Sequence, residues 1–536
     1  MPVSTLHPDV SDHIDVWQQM RDVIGGSIPV KTQGAKYLPM LSKQTPEEYH
    51  NYKMRADYFD ATSRASQAMM GFLFRKPPKV QMPAGNEDLK AFQADATLTS
   101  KSFYDLMKDC SQEVIDLGRC GVWVDWDENE DRPYALMYAA QDIINWQFER
   151  REGKTLLTRL VLHELDPTFV PGAGTASTSS GDKYQQKMYD QWREFELLVD
   201  QQGEYVQITV WRKSGEKPRP PQPSQSMTAA ITGMVTNLFG TGASPMTGQT
   251  MLDQNAGYVV VGEPRIPTRG GERLDRILFT FMGTGGPFAD ISKPPLIGMA
   301  DINLSHYRTS ADLENARHFV GVPTPWCAGF TQDGKPSQVT LGSSRVWVTS
   351  EPNAKCGFLQ VQGDFPALTG AITEKQEKMA ELGVQMITAA GKGYYRAEAY
   401  ATVALRQTAQ SAGLTAISRS LTQCFTDVLT QAAWYSGLGD TPESLQSEIN
   451  VLMNLDFMGE QLDAQDLTAY VAAWIQGAIS YETLFKVLQE GEIIDAGVTI
   501  QQEMLRIKVG RQLMLGAPQP GTQPPPPSGT QPPPPS

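Results

Sequence analysis

The spacing of apolar residues changes twice along this chain, from helical to alternating and back to helical. That double switch limits the fold more than any other feature. Helical runs on either side of a block of strands imply an α+β architecture, predominantly helical. The first helical section opens at Thr45-Pro46-Glu47-Glu48. This is a capping box with proline at the first helical position, which satisfies amides that would otherwise lack partners. Tyr52, Tyr58, Phe59, Ala65 and Met69 follow at roughly helical spacing and predict helix over residues 45–75. Phe72-Leu73-Phe74-Arg75-Lys76-Pro77-Pro78 then forces an extended exit, because the residue before a proline avoids the helical region. A second helix is expected over Ser102 to Leu117.

Strands come next. Val122-Trp123-Val124-Asp125-Trp126 and Tyr134-Ala135-Leu136-Met137-Tyr138 flank an acidic turn and read as a hairpin. Further strands are expected at Leu156 to Leu162, Phe195 to Val199, Tyr205 to Trp211 and Ile277 to Met282. Between the last two, Ser214 to Gly257 is rich in Pro, Ser, Gly and Thr and reads as a long exposed excursion.

Helical spacing resumes after Pro294 with Ile297, Ala300, Leu304, Tyr307, Ala311 and Asn315. Gly321-Val322-Pro323-Thr324-Pro325 closes that helix. A short β section is expected around Arg345 to Val348, then helices from Pro366 to Ala390 and Ala401 to Trp434. They are joined through Gly391-Lys392-Gly393-Tyr394-Tyr395-Arg396. Residues 436–515 read as a helical unit with twelve acidic and four basic side chains. The last residues, 516–536, contain Gly-Thr-Gln-Pro-Pro-Pro-Pro-Ser twice; such a tail favours solvated polyproline and builds no core.

Composition sets limits on function. Of 536 residues, 40% are apolar and 20% charged, the profile of a folded chain. The formal net charge of −14, from 46 basic and 60 acidic residues, argues against a tight DNA grip, which relies on neutralising phosphates. No apolar run approaches the roughly 20 residues that span a bilayer, so no membrane partner is expected. Met1 to Val10 has no basic start followed by an apolar core, so no signal peptide is expected. Cys110, Cys120, Cys327, Cys356 and Cys424 are odd in number and scattered, without a CxxC. Neither a disulfide framework nor a zinc site is expected, and a reducing compartment is the default.

Motifs for catalysis are few. There is no GxxxxGK[ST] phosphate loop and no GxSxG elbow. Gly283-Thr284-Gly285-Gly286 reads as a tight turn. Glu314 and His318, four apart on a helix, read as a surface pair rather than a metal site. Asp125, Asp127, Asn129 and Asp131 have the alternating spacing of a calcium loop, but Glu130 stands where such a loop needs glycine and Leu136 where it needs a bidentate glutamate. A polar hairpin turn explains the run equally well. No catalytic, cofactor or metal residues are assigned.

Five segments, in order, resemble tailed-bacteriophage portal proteins. The first runs from Tyr52-Lys53-Met54-Arg55-Ala56-Asp57-Tyr58 through Gly71 to Pro78, and the second from Pro294-Pro295-Leu296 to Asn315. The third joins Val322-Pro323-Thr324-Pro325 to Leu341-Gly342-Ser343-Ser344, and the fourth is Gln376 to Ile387. The fifth runs from Asp456-Phe457 to Gly477-Ala478-Ile479-Ser480-Tyr481-Glu482-Thr483. The loop 214–257 and the proline tail depart from the family pattern. The resemblance implies a ring, usually of twelve subunits, at one capsid vertex of a virion assembled in the host cytoplasm. Double-stranded DNA passes through its channel without sequence preference. It also implies contacts with the major capsid protein, a terminase and head–tail adaptor or tail proteins.

Each subunit of the family has a wing, a stem, a clip and a crown. By resemblance, 1–150 and 321–435 are wing, 151–320 clip and stem, and 436–515 an acidic helical crown. A tunnel loop is expected within 361–402, where Lys392 and Arg396 either reach DNA or decorate an ordinary helix–helix connection. The helix from Ile297 carries Asp301, Arg308 and Asp312 on one side and an apolar stripe on the other. That stripe fits either packing on the next subunit of a ring or packing within one subunit. Two alternatives remain: another head–tail protein, an adaptor or minor capsid protein; and a metal-dependent hydrolase using Asp125, Asp127 and Asp131.

Overall fold

The structure is a computed structural model. It describes residues 2–83, 86–151, 153–166, 188–214, 257–322, 324–329, 331–332, 335–336, 352–359, 365–387, 400–455, 457, 464–490, 493–494 and 497–515. These fall into two compact units, Met1–Phe457 and Met458–Ser536. The Arg345–Val348 strand, residues 215–256 of the excursion, Lys392, Arg396 and the tail 516–536 lie outside the described residues.

The first unit opens with α1 (Pro8–Ile24), whose N-terminus is capped by His7. Trp17 is fully buried, and its indole N–H donates to the Leu117 carbonyl at 3.1 Å. Helices α2 (Ser27–Gln33) and α3 (Pro46–Arg55) follow. The expected capping box is present: Thr45 Oγ1 accepts the Glu48 N–H at 3.3 Å, and Glu48 Oε2 accepts the Thr45 N–H at 2.8 Å.

The single helix expected over 45–75 is in fact two. The chain leaves helical geometry at Ala56, with ψ of 128°, and resumes in α4 (Ala61–Leu73). Tertiary bonds hold the break. The Asp57 N–H donates to Ser310 Oγ at 3.2 Å, and Tyr58 Oη donates to the Val23 carbonyl at 2.7 Å. Tyr58 Oη also accepts from Asn303 Nδ2 at 2.6 Å. The two prolines then deliver the chain to β1 (Lys79–Gln81). Helices α5 (Glu87–Ala94) and α6 (Phe103–Leu117) come next. The latter is capped by Ser102 and Asp105 and ended by Gly118 at φ 83°, where a Cβ would lie 2.8 Å from the Ser292 carbonyl.

The expected hairpin is β2 (Arg119–Asp127) and β3 (Arg132–Ala139). Both strands are buried almost throughout, which accounts for their near-continuous apolar sequence. Strands β4 (Ile143–Arg151), β5 (Lys154–Asp166), β6 (Tyr189–Asp200), β7 (Gly203–Lys213) and β8 (Tyr258–Val260) form a five-stranded antiparallel meander in sequence order. A small ribbon, β9 (Thr268–Arg269) and β10 (Glu272–Arg273), leads to β11 (Phe279–Gly283). The latter pairs with β2 to complete a three-stranded sheet of order β11-β2-β3. Gly121 on β2 allows this close approach, since a Cβ there would meet the Phe279 ring at 2.2 Å.

Helix α7 (Ile297–Gly321) stops where Gly321 and the prolines predict. Strand β12 (Thr324–Ala328) pairs with β15 (Lys355–Leu359), and β13 (Thr331–Gln332) with β14 (Lys335–Pro336). Helices α8 (Pro366–Ile387) and α9 (Tyr400–Tyr435) match the two expected helices to within a few residues. Strand β16 (Asn450–Leu452) pairs antiparallel with β1. Residues 436–457 thus pack within the first unit, although the sequence groups them with the acidic C-terminal helices. The cause is the β1–β16 pairing and the burial of Ile449, Val451, Met453 and Phe457. The second unit contains α10 (Ala464–Ile475), α11 (Tyr481–Glu490) and α12 (Ile500–Leu515).

Candidate functional site

Asp125, Asp127 and Asp131, the best metal candidates of the sequence, do not converge on one point. Asp125 is buried, ion-paired to Arg265 and bonded by Tyr134 Oη at 3.1 Å. Asp127 closes the turn instead, accepting the N–H groups of Asn129 at 3.2 Å and Glu130 at 3.1 Å. Asp131 takes the positive φ, 52°, that the turn requires. The run is thus a hairpin turn with one buried ion pair, and a cation would have to displace Arg265 to use Asp125. Among the described residues, no three His, Cys, Asp or Glu side chains are placed to hold a metal ion.

Beside this turn lies an open cleft of about 780 Å³ between Trp126, the Arg265–Glu272 connection and the end of α9. Its basic groups serve the fold. Arg265 holds Asp125, while Arg269 donates to the carbonyls of Trp434 at 2.6 Å and Gly439 at 2.7 Å. The Arg269 guanidinium also lies 4.6 Å from the Trp434 ring centre. Thr268 and Ser436 also line the cleft, and Ser436 Oγ–H donates to the Ala432 carbonyl at 2.9 Å.

A buried polar constellation braces the meander, and sequence reading missed it. Glu164 is fully buried and accepts from Tyr138 Oη at 2.6 Å, Gln191 Nε2 at 2.5 Å and Arg193 Nε at 2.8 Å. Burial would raise this carboxyl, but the Arg193 guanidinium and these bonds outweigh it and hold it below the usual carboxylate range. Asp166 pairs with Arg212, which also donates to Gln191 Oε1 at 3.0 Å. His163 lies between Asp142, 3.2 Å from Nδ1, and Asp190, 2.7 Å from Nε2. Burial opposes its charge, yet the two carboxylates raise it to about 9, so it stands as an imidazolium at neutral pH. A group held charged by two partners is a brace rather than a proton shuttle. The period-2 pattern of β5 and β6 gave one cue: charged residues at inward positions.

Helix α7 settles which partner its apolar stripe meets. Ala300, Leu304, Tyr307 and Ala311 are buried within the subunit, where α1, α3, α4 and α8 pack on the helix. The stripe is therefore not left open for a second copy. Asp301, Arg308 and Asp312 are exposed as expected and still bonded, to Gln19 Nε2 at 2.7 Å, the Tyr37 carbonyl at 2.8 Å and Tyr52 Oη at 2.6 Å. Glu314 pairs with Arg317 at 2.7 Å, not with His318.

The sequence model of one family, described as a domain of unknown function (DUF4055), matches residues 295–436. No curated protein matches. Two solved structures are similar over most of their length. One, titled "Neck of empty GTA particle computed with C6 symmetry", covers 90% of this chain and 93% of that chain at 10% identity and a TM-score of 0.31. The other, "Virion of native gene transfer agent (GTA) particle", covers 85% and 96% at 10% identity and a TM-score of 0.33. Both scores lie below 0.5 and carry no weight for fold or function.

Proposed function

We propose that this chain is a structural subunit of the head–tail region of a phage-like particle and, more finely, a portal protein: one copy in a ring that conducts DNA and docks terminase and tail components. The supporting observation is the order of the portal-like segments and where they fall. The first runs from the last turn of α3 through α4 to the proline exit. The second opens α7, the fourth ends α8, and the fifth includes the Gly477 turn into α11. In this reading 1–150 and 321–435 are wing, 151–320 clip and stem, and 436–515 crown. Lys392 and Arg396 are the proposed DNA-facing cations.

Electrostatics agree with a conduit. A chain with net charge −14 favours sliding of DNA, where dense phosphate contacts would arrest it. The hydrolase alternative loses its basis, because Asp125 and Asp127 are already engaged by Arg265 and by turn amides.

Negative-stain imaging of the purified full-length chain tests the reading. A ring with a central hole is expected. A chain that stays monomeric under all assembly conditions sinks it. Copy number in purified particles then separates a portal from an adaptor or a minor capsid protein.

A further inference from the structure

Two cysteines that lie far apart in the sequence face each other in the fold. Cys327 on β12 and Cys356 on β15 are paired in the antiparallel register. Side chains so opposed have Cβ atoms about 4.5–5.5 Å apart, close to the spacing that a disulfide closes. Cys356 is exposed and Cys327 half-buried, and neither is bonded to another sulfur. The neighbouring Cys356 side chain, ahead of burial, raises Cys327 to about 11. Trp326 stands next to the pair over Gly357, where a Cβ would come within 3.0 Å of the indole nitrogen. The ribbon is thus closely packed on the residue adjoining Cys356.

The other three cysteines, Cys110, Cys120 and Cys424, are buried, and the thiols of the last two are engaged. Cys120 Sγ–H donates to the Cys110 carbonyl at 3.6 Å, and Cys424 Sγ–H to the Phe281 carbonyl at 3.9 Å. Buried thiols in apolar surroundings are inert toward solvent reagents. Any reaction with a dissolved oxidant therefore concentrates on the ribbon.

We propose that Cys327 and Cys356 form an accessible cross-strand dithiol, a modification site that a small-molecule disulfide oxidises to an intrachain cystine. The Cys356 thiolate attacks one sulfur of the reagent, the reagent's S–S bond breaks, and one thiolate leaves. The Cys327 thiolate then attacks the Cys356 sulfur of the mixed disulfide and expels the second thiolate. Two electrons pass from the cysteine sulfurs to the reagent, whose two thiolates take up the two protons lost. The bond staples β12 to β15 and closes the loop of residues 328–355 covalently. A reducing compartment keeps the ribbon open, and an oxidising one locks it.

The test uses the full chain, reduced and then incubated with oxidised glutathione before alkylation. Free thiols titrated in denaturant should fall from five to three. Peptide mapping without reductant should join Cys327 to Cys356 within one chain, and Cys327→Ser should give only a glutathione adduct on Cys356. Five persisting thiols, two separate glutathione adducts in the wild type, or links formed only between chains would each overturn the proposal. So would an intrachain link that survives in Cys327→Ser.

Discussion

Charged side chains inside this protein fall into two kinds, and each predicts a different response to mutation. Glu164 and Arg193 are buried partners. Removing one leaves the other uncompensated, so Glu164→Ala should lower stability by about 3–5 kcal/mol in urea unfolding. Arg119 is the contrary case. It is fully buried between Trp146, 4.2 Å away, and Phe281, 5.3 Å away, and none of its guanidinium nitrogens has a hydrogen-bond partner. Burial lowers it to about 9. Arg119→Met keeps the stacked length without the uncompensated polar group, and should raise stability by about 1–3 kcal/mol in the same assay. His163 gives the pH dependence. Its folded value of about 9 exceeds the unfolded value of about 6.5. Its contribution is therefore complete below pH 6.5 and is lost as pH rises through 9. Thermal unfolding of wild type should weaken across that window, and His163→Gln should flatten the slope. Beyond the inward charges of β5 and β6, these roles are not legible from sequence, because each depends on partners such as Asp142, Asp190 or Trp146 supplied by other segments of the chain.

At the scale of elements, legibility followed how local the cause was. Capping boxes at Thr45 and Ser102, the Gly118 stop and the prolines after Phe74 act within a few residues, and these boundaries stand where the sequence placed them. Thr45→Ala should cost about 1 kcal/mol, read as a shift in the urea midpoint. The break at Ala56–Asp60 was hidden because its bonds reach Val23, Asn303 and Ser310. Strand β4 was hidden for another reason: irregularities at Ile143/Asn145 and Gln147/Phe148 disrupt its alternation. The Cys327–Cys356 pairing needs the ribbon itself, so cysteine spacing gave no sign of it.

For the whole molecule, net charge governs encounters. The isolated chain, at −14, should not retain a short DNA duplex at physiological salt, with any Kd weaker than about 10⁻⁴ M; fluorescence anisotropy measures this, and tight binding would contradict a sliding conduit. The meander carries a different message. Its turns at Arg151–Lys154 and Asp200–Gly203 lie at one end of the sheet. The long departures, after Asp166 and after Lys213, both leave from the opposite end and rejoin the strand beside their start, at Tyr189 and Tyr258. That end is the one clasped by Asp166–Arg212–Gln191 and Asp142–His163–Asp190. Each departure is therefore a closed detour whose two feet are fixed independently of what runs between them. Chain added to such a detour costs only about 0.6 kcal/mol per doubling of length. The clasped end works as a pair of sockets: strand pairing and these side-chain bonds hold the register there, so a change in the length of either detour should leave the sheet in place.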